Sequence, residues 1–169
     1  MKQTKTARYV VLSALIAAAY VTLTYISAAL GLAYGGIQFR LSEALNILAA
    51  FTPAAIPGLT LGCFISNISS PFPLDMVFGT LATIFSAATI RLIAKLKKGV
   101  TPYLATLPPS LFNAVLVGLQ ITFFTTESAS LTAFLLSAAS VFVGEFAVCA
   151  TLGIPLYYAF ENKLNKFIN

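Results

Sequence analysis

The chain has 169 residues, of which 59% are apolar and only 9% charged. Folded in water, such a chain would expose large apolar patches, so the composition argues against a soluble domain. It has no histidine and a formal charge of +5, which argues against zinc sites and histidine-based catalysis; the basic residues sit at segment ends, as membrane insertion requires, not as a nucleic-acid surface.

The first apolar run covers residues 9–34 and predicts a helix over about 7–34. Lys2, Lys5 and Arg8 precede it like the n-region of a signal peptide. The run is too long for an h-region, and no small-residue cleavage site is followed by a soluble chain, so this segment reads as a first span and not as a leader. Ala14 and Ala18 form a small-residue pair on it, which suits a helix contact or a partner surface equally. Gly35-Gly36 breaks the run, and the polar stretch Gln38-Phe39-Arg40 follows.

A second segment is expected over 41–52, ended by Thr52-Pro53, and a third over 54–69, with Pro57 in its first turn. Together they are short for two spans of about 20 residues each. A broken or re-entrant pair lining a cavity would keep the same sidedness. Gly58, Gly62 and Ser66 recur every fourth residue and predict close packing inside the bundle. The loop Ser69-Ser70-Pro71-Phe72-Pro73 leads to a fourth segment over 74–96, closed by Lys95, Lys97, Lys98 and Gly99. The fifth covers 102–124, with a kink expected at Pro108-Pro109. A polar loop with a solvated Glu127 precedes the sixth, over 130–160, and Lys163 and Lys166 follow.

The expectation is an all-α integral membrane protein: a single six-helix domain over residues 1–169 with both termini cytoplasmic. Lys2, Lys5, Arg8, Arg91, Lys95, Lys97, Lys98, Lys163 and Lys166 then lie inside, nine of the ten basic residues, and Arg40 alone lies outside. Cys63 and Cys149 sit in apolar runs without CxxC spacing, so no disulfide is expected.

Ionisable groups at membrane depth are costly and point to function. Glu145 lies mid-segment beside Gly144, with no basic residue within four positions. It needs a partner on another helix, a proton or a ligand. Asn113 and Gln120 are seven apart and share a face, as a polar ligand or a helix–helix hydrogen bond would require. Gln38, Phe39, Arg40 and Glu43 sit at the outer mouth, where Arg40 and Glu43 have the spacing of an ion pair. Asp75 opens the fourth segment and suits a helix N-terminus or a ligand. Asn67 ends the third. There is no G-x-x-x-x-G-K-[ST] loop, H-E-x-x-H, Ser–His pair or G-x-S-x-G, so neither ATP hydrolysis in this chain nor another enzyme activity is expected.

The stretch from Gln38 through Phe39, Arg40, Leu41, Ser42 and Glu43 to Leu45, and that from Phe51 through Thr52, Pro53 and Pro57 to Gly58, resemble the QueT family of queuosine-precursor transporters. So do Gly62, Asn67, the run from Asp75 to Ala82, Asn113, Gly118 and Gly144-Glu145. The resemblance implies a substrate-binding S-component of an energy-coupling-factor (ECF) importer in a prokaryotic cell membrane. Such a subunit captures its ligand at the outer face, closes the loop after the first helix, and reorients when partners hydrolyse ATP. It would have no cofactor of its own and would associate with a transmembrane coupling protein and two cytoplasmic ATPases, with Ala14 and Ala18 as the docking face.

For a 7-deazaguanine such as preQ1 or preQ0, Glu145 or Glu43 would accept the paired N–H donors of the base. Asn113 and Gln120 would read its other polar edges, and Phe39 or Tyr34 would stack on its rings. The aminomethyl cation of preQ1 would favour a second carboxylate, Asp75 or Glu43; the nitrile of preQ0 would not. The alternatives are an S-component for another flat vitamin, a structural or assembly membrane protein, and a stand-alone secondary transporter.

Overall fold

The computed structural model describes residues 2–34, 37–96, 98–124 and 129–168. The expected break at Gly35-Gly36, Lys97 and Glu127 lie outside them, as do the side chains of Lys2, Lys98 and Lys166. The secondary structure of the described residues is all helical. Four helical stretches among them are long and apolar enough to cross a membrane: Lys5–Ala29, Asp75–Lys95, Thr101–Phe124 and Leu131–Lys163. Large apolar side chains such as Leu15, Phe64, Val77, Leu92, Leu111 and Leu136 face outward, while Arg40, Glu43, Asn67, Asp75 and Glu145 are buried. That inversion suits lipid as the surrounding solvent.

Helix α1 (Lys2–Ala29) ends earlier than its apolar run predicts. Gly31 adopts φ +72°, and two backbone bonds, Leu32 N–H to Ser27 C=O at 2.8 Å and Gly31 N–H to Ala28 C=O at 2.9 Å, close a Schellman cap. Hydropathy continues through this cap and hides it. The chain then folds back, with Phe39 N–H donating to Leu32 C=O at 2.9 Å.

The second segment is not an α-helix but a 3-10 helix, Leu41–Ala50, and residues 42–49 are all buried. It packs against α1, α2, α3, α6 and α7, so it lies at the heart of the bundle. A 3-10 helix rises about 2.0 Å per residue, so ten residues reach about 20 Å where an α-helix would reach about 15 Å. One end meets the far end of α1, where Leu41 N–H donates to Ser27 Oγ at 3.0 Å. At the other, Arg91 donates to Ala50 C=O at 2.9 Å, and Ser13 Oγ donates to Ala54 C=O at 2.9 Å.

Helix α2 (Ala55–Asn67) runs back along α1. The Gly58 and Gly62 stripe is an internal contact. A Cβ on Gly58 would lie 2.7 Å from Ser13 C=O, and one on Gly62 would lie 2.7 Å from Tyr20 Cβ. Helix α3 (Asp75–Leu96) packs on α2 and on α5. The expected kink at Pro108-Pro109 is instead a break. A single turn, α4 (Thr101–Leu104), stops before Ala105-Thr106, and the prolines fall in the first turn of α5 (Leu107–Phe124), where their missing N–H groups cost nothing.

The last segment reads α6 (Leu131–Val148), a π-helical turn (Cys149–Gly153) and α7 (Ile154–Ile168). Pro155 removes one intrahelical bond and crowds the preceding turn, and the π turn absorbs the misfit.

The α1–α2 contact yields a stability prediction. Gly62→Leu is expected to destabilise the detergent-solubilised protein by about 1–3 kcal/mol through overpacking against Tyr20. Ala14→Leu, on the exposed face of α1, should leave thermal unfolding unchanged.

Candidate functional site

The buried polar residues form two adjoining groups. The first is built around Arg40, 2% exposed and held by three donor contacts. Nε donates to Ala33 C=O at 2.9 Å, Nη1 to Asn67 Oδ1 at 3.2 Å and Nη2 to Asp75 Oδ2 at 3.4 Å. The guanidinium also lies 5.2 Å from the centre of the Tyr34 ring, and the Tyr34 hydroxyl donates to Ser66 C=O at 2.9 Å. Asp75 accepts further bonds from Ser70 Oγ and from Gln120 Nε2, the latter at 2.5 Å. Asn67 Nδ2 closes the ring on Asp75 C=O at 2.9 Å.

The ion pair that the spacing of Arg40 and Glu43 allows is not the one that forms. Arg40 is extended, with φ −83° and ψ 105°, and precedes the 3-10 helix, so its side chain leaves in a different direction from that of Glu43. Its salt-bridge partner is Asp75. Nor is Arg40 an outward-facing charge, because Asp75 and two neutral groups satisfy it inside the protein.

The second group surrounds Glu43. Its Oε1 accepts from the Tyr20 hydroxyl and its Oε2 from Asn46 Nδ2 at 2.7 Å. Thr24 Oγ1 donates to Ser42 Oγ at 2.8 Å on the same side of α1. Asn113 faces Glu43, yet its amide nitrogen makes no well-formed hydrogen bond.

Glu145 is fully buried, and neither carboxylate oxygen has a hydrogen-bond partner. It shares an electrostatic neighbourhood with Glu43 and Arg40. Gly144 brings it there, since a Cβ on Gly144 would overlap the carbonyl of Gln38. The loop after α1 thus packs its backbone directly on α6. The π turn one helical turn beyond Glu145 approaches the 3-10 helix, where Cys149 Sγ lies 3.7 Å from Glu43 C=O. Gln120 Oε1, Asn46 Oδ1 and Thr80 Oγ1 are also buried without partners.

The structure thus gathers Arg40, Glu43, Asn67, Asp75, Asn113, Gln120, Glu145 and the Tyr34 ring from six segments. Gln38 is buried through its backbone contact with Gly144, and Phe39 is half-buried in the same loop. One face of Tyr34 is already occupied by Arg40. Ala14 and Ala18 stand apart from the cluster, exposed on α1 opposite the face that carries Ile16, Ala17 and Tyr20.

Tyr20, Asn46 and Ser70 complete the cluster and were missed in the sequence. Tyr20 reads as one more apolar residue of a span. Asn46 had a usable signal, a lone amide three residues after Glu43 in an apolar stretch. An apolar groove of about 580 Å³, lined by Phe85, Ile93, Leu107, Leu111, Phe112 and Val115 between α3 and α5, offers no polar chemistry.

No solved structure matches the chain significantly. The queuosine precursor transporter QueT of Lactococcus lactis subsp. cremoris (strain MG1363) is 39% identical over 99 residues, which is 58% of this chain and 58% of that protein. The QueT transporter family matches residues 10–162. A match that takes in the buried cluster and runs over nearly the whole sequence means that this multi-pass membrane protein belongs to the QueT transporter family.

Proposed function

We propose that the protein is the membrane substrate-binding subunit through which a queuosine precursor, a 7-deazaguanine of preQ1 or preQ0 type, is taken up by an ECF-type ATP-driven importer in a prokaryotic cell membrane. Family membership and the QueT of Lactococcus lactis support the ligand class. The observation that carries the reading is Glu145, a fully buried carboxylate whose two oxygens lack partners in a cluster that also holds the equally unpartnered amide nitrogen of Asn113. A carboxylate presents two parallel acceptors, which match the N1–H and exocyclic amine of a guanine-type edge. Asn113 donates to the ligand's acceptor edge. Arg40, Asn67 and Asp75 act as the rigid outer wall, because their own bonds are already made.

The topology belongs to the same proposal. Contacts along α1, the 3-10 helix and α2 support three passes in alternating directions, and α3, α4–α5 and α6–α7 add three more. Six crossings leave both termini cytoplasmic, in keeping with the placement of the basic residues. The ligand enters from outside, beneath the loop that carries Gln38 and Arg40. This chain performs no catalysis; a coupling protein docked on Ala14 and Ala18, with two cytoplasmic ATPases, supplies the energy.

Two experiments test these assignments. Calorimetry with the detergent-purified protein should show binding of preQ1 or preQ0 and none of riboflavin or thiamine. Glu145→Gln is expected to weaken deazaguanine binding about 10- to 100-fold, the worth of a charge-assisted bond pair, without loss of the folded state. If none of preQ1, preQ0, queuine and guanine binds to folded protein, the ligand assignment fails. In cells, Ala14→Trp with Ala18→Trp should reduce uptake to background while the purified variant binds ligand as before. Undiminished uptake by that variant, or uptake without any ATPase and driven by the proton gradient, would refute the coupled mechanism.

A further inference from the structure

The groove between α3 and α5 shares no lining residue with the buried polar cluster. Phe85, Thr89 and Ile93 form one wall, a residue per helical turn along α3, and Leu104, Leu107 and Leu111 begin the other. The lining side chains are apolar but for Thr89. Phe85, Leu111 and Val115 are each about half exposed, so the groove opens to the surroundings of the bundle.

Its place along the helix suits a lipid chain. From Phe85 to Ile93 is about 12 Å along α3, and α3 ends at Leu96, about 5 Å further on. The groove therefore lies within about 17 Å of one end of a membrane-spanning helix, comparable with the ~15 Å hydrocarbon depth of a single leaflet. A partner's transmembrane helix would need a path of about 30 Å, whereas an acyl chain needs one leaflet.

Charge marks the same end. Lys95 is exposed in the last turn of α3, just beyond Ile93. Between Asp75 and Glu127 the sequence holds four basic residues, Arg91, Lys95, Lys97 and Lys98, and no acidic one. Arg91 is taken up by Ala50 C=O. The positive charge of this stretch of sequence is thus not offset locally.

From these observations we infer that the groove is a binding site for an anionic phospholipid. One acyl chain lies between α3 and α5 against Phe85, Ile93, Leu111 and Phe112, and the phosphate head group sits at the end of α3, where Lys95 meets it. An unfilled groove would forfeit dispersion contacts on its lining side chains. A basic end beside a cleft between spans attracts anionic head groups, and Lys95 reaches their level by laying its stem along apolar surface. The site is independent of the ligand held by the polar cluster.

The chain has no tryptophan, so a single introduced one reports its own lipid contacts. Phe112→Trp puts an indole in the groove wall in place of another ring. Leu15→Trp puts one on the exposed face of α1, a helix that also begins with basic residues but takes no part in the groove. Each variant is reconstituted with brominated phosphatidylglycerol or brominated phosphatidylcholine in plain phosphatidylcholine, and quenching is measured. In the groove phosphatidylglycerol should bind about 5-fold more strongly than phosphatidylcholine, and at Leu15→Trp less than about twofold. Adding Lys95→Glu to Phe112→Trp should bring the groove ratio below about twofold. Equal ratios at the two reporters would reduce the effect to general attraction by basic helix ends and overturn the proposal. So would a groove ratio unchanged by Lys95→Glu. No quenching in the groove by either lipid would mean that protein, a second copy of the chain, covers it, and would overturn the proposal too. The comparison of the two reporters decides the matter even if Lys95→Glu does not fold.

Discussion

The buried guanidinium of Arg40 is the constraint on which the outer half of the molecule depends. A positive charge this far from water is tolerable only if its nitrogens find acceptors and the charge finds an anion. Arg40 meets that demand with Ala33 C=O, Asn67, Asp75 and the Tyr34 ring. These partners lie in the loop after α1, at the end of α2 and at the start of α3. Through Gln120, Asp75 extends the same network to α5. Four segments are thereby registered at one depth. Removing one member of a buried ion pair typically costs about 3–5 kcal/mol, so the register is strongly held.

With the outer ends registered, the 3-10 helix solves a problem of length. Ten residues have to reach from the far end of α1 to the level of Ser13, and the steeper rise of a 3-10 helix lets so short a segment do so. Its thinner cross-section also suits a segment surrounded by other helices. Glu43 is thereby placed inside the bundle, not on its rim, and Tyr20 of α1 and Asn46 of the next turn can hold it. Tyr20 also packs against Gly62, so the contact that seats α2 on α1 adjoins the contact that orients Glu43.

Glu145 approaches from the opposite side by a different device. Gly144 lets the Gln38 backbone lie directly on α6, and the π turn forced by Pro155 adjusts the helix just beyond. The two halves are not equivalent. Arg40, Asn67 and Asp75 are satisfied by one another and their neighbours, whereas Glu145 and the amides of Asn46, Asn113 and Gln120 end in atoms without partners. A binding site needs both, a wall that does not move and groups whose bonds remain to be made.

The membrane class is legible without coordinates, because composition and basic end-charges report the solvent a chain must face, whatever its fold. The sequence also singled out Glu145, Asn113, Gln120 and Asp75, since a polar residue in an apolar run is conspicuous on cost alone. The glycine stripe of α2 was legible for a similar reason: absent side chains at helical spacing mark a close approach. Tertiary structure alone decided the rest. Hydropathy does not register a Schellman cap at Gly31, nor does it separate a 3-10 from an α-helical path through residues 41–50, because both bury the same side chains. Spacing suggested Arg40 with Glu43, but ion pairs form between side chains that point at one another, and an extended Arg40 points to Asp75. Tyr20 and Asn46 became part of the site only through contact, since a hydroxyl on an apolar ring and a single amide acquire meaning from what lies across from them.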